Sequence, residues 1–482
     1  MTTKFETRLF INGKFVDAST PERFSCWNPK DNSLISDQLH VATVDDVNAA
    51  VAAARAAFPL WAATPPSRRR DILLKFADLI DAHREEISGL EVATGKPVTM
   101  ARGFEIDFGL RILRYSAGWA DKLLGETAPA DSDDGMLRII TNEPLGVCAG
   151  ICPFNVPIAM ALAKIAPALT AGNSIIIKPS EKTPLGTLVL GRLANEAGIP
   201  PGVLNIVLGG GQTGALLASH MGVDKVSFTG SNATGKKIAV AAVNSNLKRV
   251  SLELGGKSAA IIFPDADLDK AVRWCTIGIT TNSGQGCICT SRIYVHKSIR
   301  ERFLSLFKQA FIAVEASAGD PTSPATGLGP VVDRLQFERI MGYVASGKEQ
   351  ATLFQGGERI GDQGCFIQPT IFVDPSPDAK ILHEEIFGPV VVVSDFEDEA
   401  DVIARVNDTP YGLSGAVYSQ DINRALRVSS RIHSGTVCIN SSLQVNAEVP
   451  FGGVKQSGWE REYGKDGVLA YTEKKTTFIN LN

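Results

Sequence analysis

The sequence predicts an α/β fold built on parallel sheets. Two runs carry that prediction: short apolar strands alternate with helix-length segments first between residues 147 and 254, then again from Gly255 onward. Such alternation is the pattern of right-handed βαβ units, which feed a parallel sheet. At 482 residues the chain also exceeds one ordinary domain, so two or three lobes are expected. A hydrophobic fraction of 44% is enough for several cores, and 21% charged residues is ordinary for a soluble protein.

The first forty residues carry short strands and turns. Leu9-Phe-Ile-Asn-Gly-Lys-Phe-Val16 alternates about an Asn-Gly pair, a hairpin signal. From Thr43 the pattern turns helical. Asp45 to Phe58 is alanine-rich, and Pro65-Ser-Arg-Arg-Arg69 leads into Ile72-Leu-Leu-Lys-Phe-Ala-Asp-Leu-Ile80, whose apolar residues recur at helical spacing. A further helix is predicted across Phe104 to Leu124, with Arg111 and Arg114 on a solvated or salt-bridged face.

In the first alternating run the strands are Val147–Cys152, Ser174–Lys178, Asn205–Leu208, Lys225–Phe228 and Arg249–Leu254. The helices between them are Ile158–Thr170, Pro184–Ala197, Thr213–His220 and Thr234–Ala242. Ligands of such sheets sit at the carboxyl ends of the strands, where Asn155, Lys178, Gly230 and Glu253 fall. The second run places strands near Ala259–Phe263, Arg292–Val295, Val390–Ser394, Gly415–Val417 and Thr436–Asn440, with turns rich in Gly or Pro at Gly319–Pro330 and Gly356–Gly364. The tail, Val468–Asn482, has strand character and no local partner; a terminal strand of that kind often pairs with another subunit. No internal repeat or low-complexity tract is visible.

Gly146 to Ala163 is a stretch of eighteen residues in which only Asn155 is clearly polar. It is short for a membrane span and holds Pro153 and Pro157, so a buried strand, a turn and a buried helix are expected. Lys+Arg 48 against Asp+Glu 52 gives a net charge of −4, which offers no general attraction to nucleic acid or an anionic membrane. Eight scattered cysteines are a thin disulfide framework for this length, and a reducing compartment is the simpler expectation. The first residues lack the layout of a signal peptide. A cytoplasmic location is expected.

The stretch richest in chemistry is Asn282-Ser-Gly-Gln-Gly-Cys-Ile-Cys289. The nucleophilic form of cysteine is the thiolate, which needs an accessible turn and nearby donors. Gly284 and Gly286 allow close backbone approach before Cys287 and leave N–H groups free to meet developing charge. Alternatives are an inert buried cysteine, or half a metal site, although no second cysteine or histidine pair at ligand spacing lies near it in the sequence. Gly209-Gly-Gly-Gln-Thr-Gly214 matches a dinucleotide-binding glycine pattern between strand and helix. The acidic residue expected about twenty positions later is not clearly present, so this is either a phosphate loop or a glycine-rich turn.

A longer set of blocks occurs in fixed order: Pro153-Phe-Asn-Val-Pro157, Lys178-Pro-Ser-Glu181, Phe228-Thr-Gly-Ser231 with Gly235 behind it, Glu253-Leu-Gly-Gly-Lys257, and Asn282-x-Gly-Gln-x-Cys287. Glu384-Glu-Ile-Phe-Gly-Pro389 and Pro450-Phe-Gly-Gly453 follow. Together they resemble the NAD(P)-dependent aldehyde dehydrogenase superfamily essentially from end to end. The spacing of Glu253 and Cys287 resembles its hydrolytic members.

The resemblance implies a Rossmann-like cofactor domain (1–125 and 145–255), an α/β catalytic domain (256–455), and a small β oligomerisation element (126–144 and 468–482, with a hairpin around Ala128–Glu143). It implies oxidation of an aldehyde to the acid with NAD, NADP being accepted less well, in a homodimer or homotetramer. Cys287 would be the nucleophile, Asn155 and the Cys287 N–H the oxyanion hole, and Glu253 the base that activates water on the thioester. For the cofactor it implies Lys178 and Glu181 at the adenosine ribose. Gly230, Ser231 and Gly235 would sit at the phosphates, with Gly211 a secondary contact. Glu385 and Phe387, helped by Gln336, would position the nicotinamide end.

The aldehyde tunnel would be walled by Phe108, Phe154, Val156 and Met160, with part of Ser441–Val449. That lining favours aromatic or medium-chain aliphatic aldehydes, and Arg111 stands one helical turn from Phe108. Phe154 stands where the family more often has tryptophan, and Gly286 and Ile288 flank Cys287 where cysteines often sit. Both departures alter the pocket wall and no catalytic atom. Two rivals are a coenzyme A-acylating semialdehyde dehydrogenase, which Glu253 argues against, and a non-catalytic binding protein that keeps the fold.

Overall fold

The computed structural model describes residues 5–128 and 134–481. Its largest sheet has eight strands, in the order Gly458–Trp459, Arg249–Glu253, Lys225–Thr229, Val147–Ile151, Ser174–Lys178, Leu204–Ile206, Leu9–Ile11 and Lys14–Val16. The five strands from Arg249–Glu253 to Leu204–Ile206 run parallel. Chain order reverses between Lys225–Thr229 and Val147–Ile151. The loops leaving those two strands therefore diverge and open a crevice at their carboxyl ends. Every residue of Val147–Ile151 and Ser174–Lys178 is buried, which explains why these strands appear in sequence as continuous apolar runs without alternation.

The chain from Gly146 to Ala163 forms a buried strand, a turn and the start of the helix Pro157–Ala171, as expected. All fifteen residues of that helix are buried. Pro157 opens it, and the Ile158 N–H in its first turn is met by Glu105 Oε1 at 2.7 Å. Gly172 ends it at φ 96°, the left-handed stop that glycine adopts cheaply. The N-terminal hairpin turns at Asn12 and Gly13, both with positive φ, as a two-residue hairpin turn requires. It also adds to the large sheet through Phe10 against Ile206, a long-range pairing invisible in the local pattern.

A second sheet of seven strands runs Thr352–Gln355, Thr370–Val373, Val390–Phe396, Thr290–His296, Ser258–Ile262, Ser414–Tyr418 and Thr436–Ile439. All its pairings are parallel except that of Thr352–Gln355. Thr352–Gln355 and Thr370–Val373 were not expected, because they border the glycine-rich turns that dominate the local pattern. The helix expected from Phe104 to Leu124 is instead a wider-wound turn, Met100–Glu105, followed by Ile106–Ala117.

With no partner near it in sequence, Thr472–Asn480 pairs within the chain as the hairpin-and-tail element expects, antiparallel along its length with Met136–Pro144, which in turn pairs with Glu126–Ala128. Residues Gly464–Leu469 before it form a short helix. Positions 129–133 of the hairpin and Asn482 lie outside the described residues. Among the described residues no helix is long and apolar enough to cross a membrane.

Candidate active site

Helix Leu268–Thr280 ends in a tight turn where Asn282, Ser283 and Gly284 all take left-handed φ values of 52°, 55° and 72°. Gly284 is required there: a Cβ would lie 2.2 Å from the Gly388 backbone. Side-chain amides hold the turn in shape. Asn282 Nδ2 donates to Asn155 O at 2.9 Å, and Asn155 Nδ2 donates to Gln285 O at 3.1 Å. Gln285 Nε2 donates to Asn282 O at 3.0 Å, while its Oε1 accepts from Val332 N at 2.9 Å. The loop Pro153–Val156 and the Cys287 loop are thus tied to each other.

Cys287 emerges half-buried, whereas the seven other cysteines are buried. Cys289 packs beneath the seven-stranded sheet, in the cluster that holds Cys275 and Ile293, and its N–H donates to Gly286 O at 3.1 Å. Because the segment turns instead of extending, the two thiols face different surroundings.

Glu253 ends its strand almost fully buried, and among the described residues neither of its oxygens meets a hydrogen-bond donor. Its carboxylate rests on Gly452, where a Cβ would sit 2.6 Å from Oε1. Burial, then the nearby Glu462 carboxylate, pushes its pKa well above the usual carboxylate range, against the pull of Lys164 and Arg461. Glu462 itself accepts from Lys164 Nζ at 2.7 Å, and Lys164 also donates to Ser227 Oγ at 3.0 Å and Thr229 Oγ1 at 2.8 Å. The Cys287 thiol is raised too, first by burial and then by the Glu385 and Glu253 carboxylates facing it. Its own backbone N–H favours the thiolate.

Gly256 lets the two catalytic segments touch, since a Cβ there would lie 2.2 Å from the Cys287 carbonyl oxygen. Gly256→Ala is therefore expected to displace the Cys287 loop and lower kcat at least about ten-fold with the helix content unchanged by circular dichroism. Wild-type kcat in that variant would show that the contact does not matter.

One cavity of about 550 Å³ is lined by Cys287, Glu253 and Asn155 and equally by Lys178, Glu181, Gly211, Gly230, Ser231, Gln336, Glu385 and Phe387. Lys178 is buried and lies 3.6 Å from the exposed Glu181 carboxylate. Ser231 caps the helix Asn232–Ser245, accepting from the Thr234 N–H. Gly235 does not line the cavity: its missing Cβ leaves room for Leu254 at 2.5 Å, so it brings the helix close to the strand. At Gly210 and Gly211 a Cβ would meet nothing within 4 Å, so those two positions border open space. The cavity's size, the helix N-terminus at Ser231 and the Glu181 carboxylate on its lining fit a dinucleotide.

At the other end Glu385 Oε1 accepts from the Gly256 N–H at 3.0 Å, and burial raises its pKa to about 7. Phe387 holds a left-handed φ of 60°, which Gln336 secures by donating to its carbonyl at 2.9 Å. Gln336 acts on the Phe387 backbone from a buried position and gives that ring its place. Phe154 packs edge-on against Phe387 at 5.6 Å, with Lys182 Nζ 5.0 Å from its centroid. Phe154 lines the same cavity as Cys287, and the Phe387 edge and the Lys182 cation hold its ring there.

Phe108, Val156 and Met160 share one apolar cluster. Phe108 borders a separate open depression together with Phe104, Arg111 and Val445. Arg111 is tied to Glu448 at 3.2 Å, a salt-bridged surface as the sequence predicts. Sequence reasoning missed Arg339, which lines the cavity, Lys164 and Glu462, which act on Glu253, and Tyr463, on which Glu462, Glu253 and Cys287 act. Lys164 was visible as the lysine closing an apolar run, but the other three carry no local signal and meet the site only through folding.

The family model described as "Aldehyde dehydrogenase family" matches residues 15–477. An aldehyde dehydrogenase of Davidiella tassiana is 44% identical over 98% of this chain and 95% of its own length. Among solved structures, gamma-glutamyl-gamma-aminobutyraldehyde dehydrogenase of Burkholderia cenocepacia superposes with a TM-score of 0.97 at 41% identity, covering 100% of this chain and 98% of its own. The P. syringae indole-3-acetaldehyde dehydrogenase, solved with NAD+ and IAA, has a TM-score of 0.96 at 39% identity, with 99% and 97% covered. With sequence blocks, both sheets and the whole length in agreement, this chain belongs to the aldehyde dehydrogenase family of oxidoreductases.

Proposed function

We propose that the protein oxidises an aldehyde to its carboxylic acid with NAD, through a thioester on Cys287 hydrolysed by water that Glu253 activates. The observation that carries this reading is the single cavity lined by Cys287, Glu253 and Asn155 and by the dinucleotide-fitting residues Lys178, Glu181, Gly230 and Ser231.

Burial and two facing carboxylates keep the Cys287 thiol protonated, so its proton must leave before attack. That proton passes to solvent through the open cavity, and Glu253, its own proton affinity raised, serves the later hydrolysis. Sγ then bonds to the carbonyl carbon, and charge develops on the former carbonyl oxygen. Asn155 spends one amide hydrogen on Gln285 O and keeps the other for that oxygen, beside the Cys287 N–H. The bound dinucleotide supplies the hydride acceptor. Lys178 and Glu181 hold its adenosine ribose, Gly230 and Ser231 its phosphates with Gly211 nearby, and Glu385 and Phe387 its nicotinamide end. Gly235 contributes by letting the helix approach.

Both key acids are raised, so each is protonated at acidic pH and loses its proton only as pH rises. kcat/KM for aldehyde is therefore expected to climb from pH 6 to pH 9, measured by NADH absorbance. A profile falling over that range would remove Glu253 as base. The Glu181 carboxylate accepts from ribose hydroxyls and repels a 2′-phosphate, with Lys178 partly offsetting the repulsion. NAD is expected to exceed NADP in kcat/KM, and equal values would contradict that role.

The function is tested by a panel of aldehydes. The apolar cluster of Phe108, Val156 and Met160, with Arg111 already neutralised by Glu448, favours aromatic and medium-chain aliphatic aldehydes over succinic semialdehyde and betaine aldehyde. Each buried methylene contributes about 0.8 kcal/mol, a few-fold in kcat/KM. A carboxylate-bearing semialdehyde as best substrate, lost in Arg111→Ala, would overturn this. Free acid formed without coenzyme A separates hydrolysis from acyl transfer.

Residues 1–125 with 145–255 form the cofactor domain in this proposal, 256–455 the catalytic domain, and 126–144 with 468–482 the oligomerisation element. Thr472–Asn480 is an edge strand, exposed along nearly all its length, which supports a homodimer or homotetramer, to be checked by light scattering. Eight free cysteines support a cytoplasmic location.

A further inference from the structure

Tyr463 stands out by its backbone. At φ 60° and ψ 176° it occupies a region that essentially only glycine visits, at a cost of order 1–3 kcal/mol for other residues. The neighbouring chain leaves it no other choice. Glu462 before it exchanges backbone hydrogen bonds with Phe451 in both directions, at 2.7 and 2.8 Å, and buries its carboxylate on Lys164. After it, the Gly464 N–H donates to Ala447 O at 3.0 Å. Strain retained under such anchoring marks a side chain whose position matters.

The ring lies between the two halves of the site. It meets Phe108 edge-on at 5.3 Å and Phe451 at 5.6 Å. Phe451 precedes Gly452, the residue on which the Glu253 carboxylate rests. Tyr463 thus connects the Phe108 wall with Glu253. Among the described residues neither carboxylate oxygen of Glu253 has a hydrogen-bond donor. Burial, with Glu462, Glu253 and Cys287 facing it, keeps the phenol protonated.

We propose that Tyr463 is a positioning residue for deacylation, its hydroxyl oxygen forming with Glu253 a two-point cradle for the hydrolytic water. This rests on the thioester reading above. Water donates one hydrogen to Glu253 and the other to Tyr463 Oη, which leaves a lone pair aimed at the thioester. The oxygen bonds to the carbonyl carbon and its first proton passes to Glu253. The carbon–sulfur bond breaks, its electron pair stays on Cys287 Sγ, and the acid departs. Tyr463 keeps its own proton throughout.

The test follows the acyl-enzyme directly. Enzyme with saturating NAD is mixed with labelled aldehyde at less than one equivalent and quenched in acid, and protein-bound and free label are counted over time. Tyr463→Phe, which keeps the ring contacts, is expected to acquire bound label at the wild-type rate and lose it about ten-fold more slowly. Loss at the wild-type rate, or acquisition slowed as much as loss, overturns the proposal. Glu253→Gln is run alongside. If its label is lost as fast as in wild type, the hydrolytic reading itself fails. If its label persists while Tyr463→Phe behaves as wild type, only the role of Tyr463 fails.

Discussion

Cys287→Ala is expected to lower aldehyde oxidation on the order of 10⁴-fold or more, to the assay background, while dinucleotide binding and thermal melting stay close to wild type. The loss is this large because the substitution removes the atom to which the aldehyde bonds. Packing loses little: Cys287 is half-buried, and its loop is held by Asn282, Asn155 and Gln285 instead of by the thiol. Cys289→Ala is the control. That thiol lies in the apolar cluster under the seven-stranded sheet, so its removal is expected to cost about 1 kcal/mol of stability and leave most of the activity. The assay is NADH formation with each purified variant, accompanied by a melting curve. Should the two variants exchange behaviour, the nucleophile has been misplaced.

Glu253→Gln separates the half-reactions. It is expected to release about one equivalent of NADH per active site and then stall, with steady-state turnover down by about 10²–10⁴-fold. Glutamine keeps the shape of the side chain against Gly452 but accepts no proton from water. The size of the burst also decides when Glu253 first acts. Absence of a burst would assign it instead to activating Cys287, an earlier task than the one proposed. Undiminished turnover would exclude it from both. The raised proton affinity sharpens the expectation, because burial makes the ionised carboxylate a stronger base toward water.

Much of the scaffold was legible in sequence for a definable reason. The strands of the large parallel sheet are buried on both faces, so Ser174–Lys178 and Val147–Ile151 appear as unbroken apolar runs bounded by helices of the right length. Asn12-Gly13 announced its hairpin because only residues tolerant of positive φ make that turn. Cys287, Glu253 and Asn155 stood out within blocks of glycine and proline, where the backbone must approach other groups closely.

Other features depended on contacts between distant residues. The turn residues around Gly356–Gly364 hid the strands Thr352–Gln355 and Thr370–Val373, which exist through pairing with a neighbour. Phe154 packs against Phe387 and Lys182, contacts that the local pattern does not show. Gln336 holds the Phe387 carbonyl across fifty residues of sequence, and the strained Tyr463 stands between Phe108 and Phe451.

The sequence by itself determined the α/β class and the blocks, resembling those of a known family, from which Cys287, Asn155 and Glu253 are proposed as nucleophile, amide and carboxylate. These follow from local constraints: hydrophobic periodicity, the φ values that glycine permits, and reactive residues set in fixed blocks. Only the tertiary structure decided which cysteine is accessible, that burial and neighbouring carboxylates raise the proton affinities of Cys287 and Glu253, and which ring Phe154 packs against. Accessibility, desolvation and ring packing are properties of surroundings assembled from residues hundreds of positions apart, and no local pattern records them.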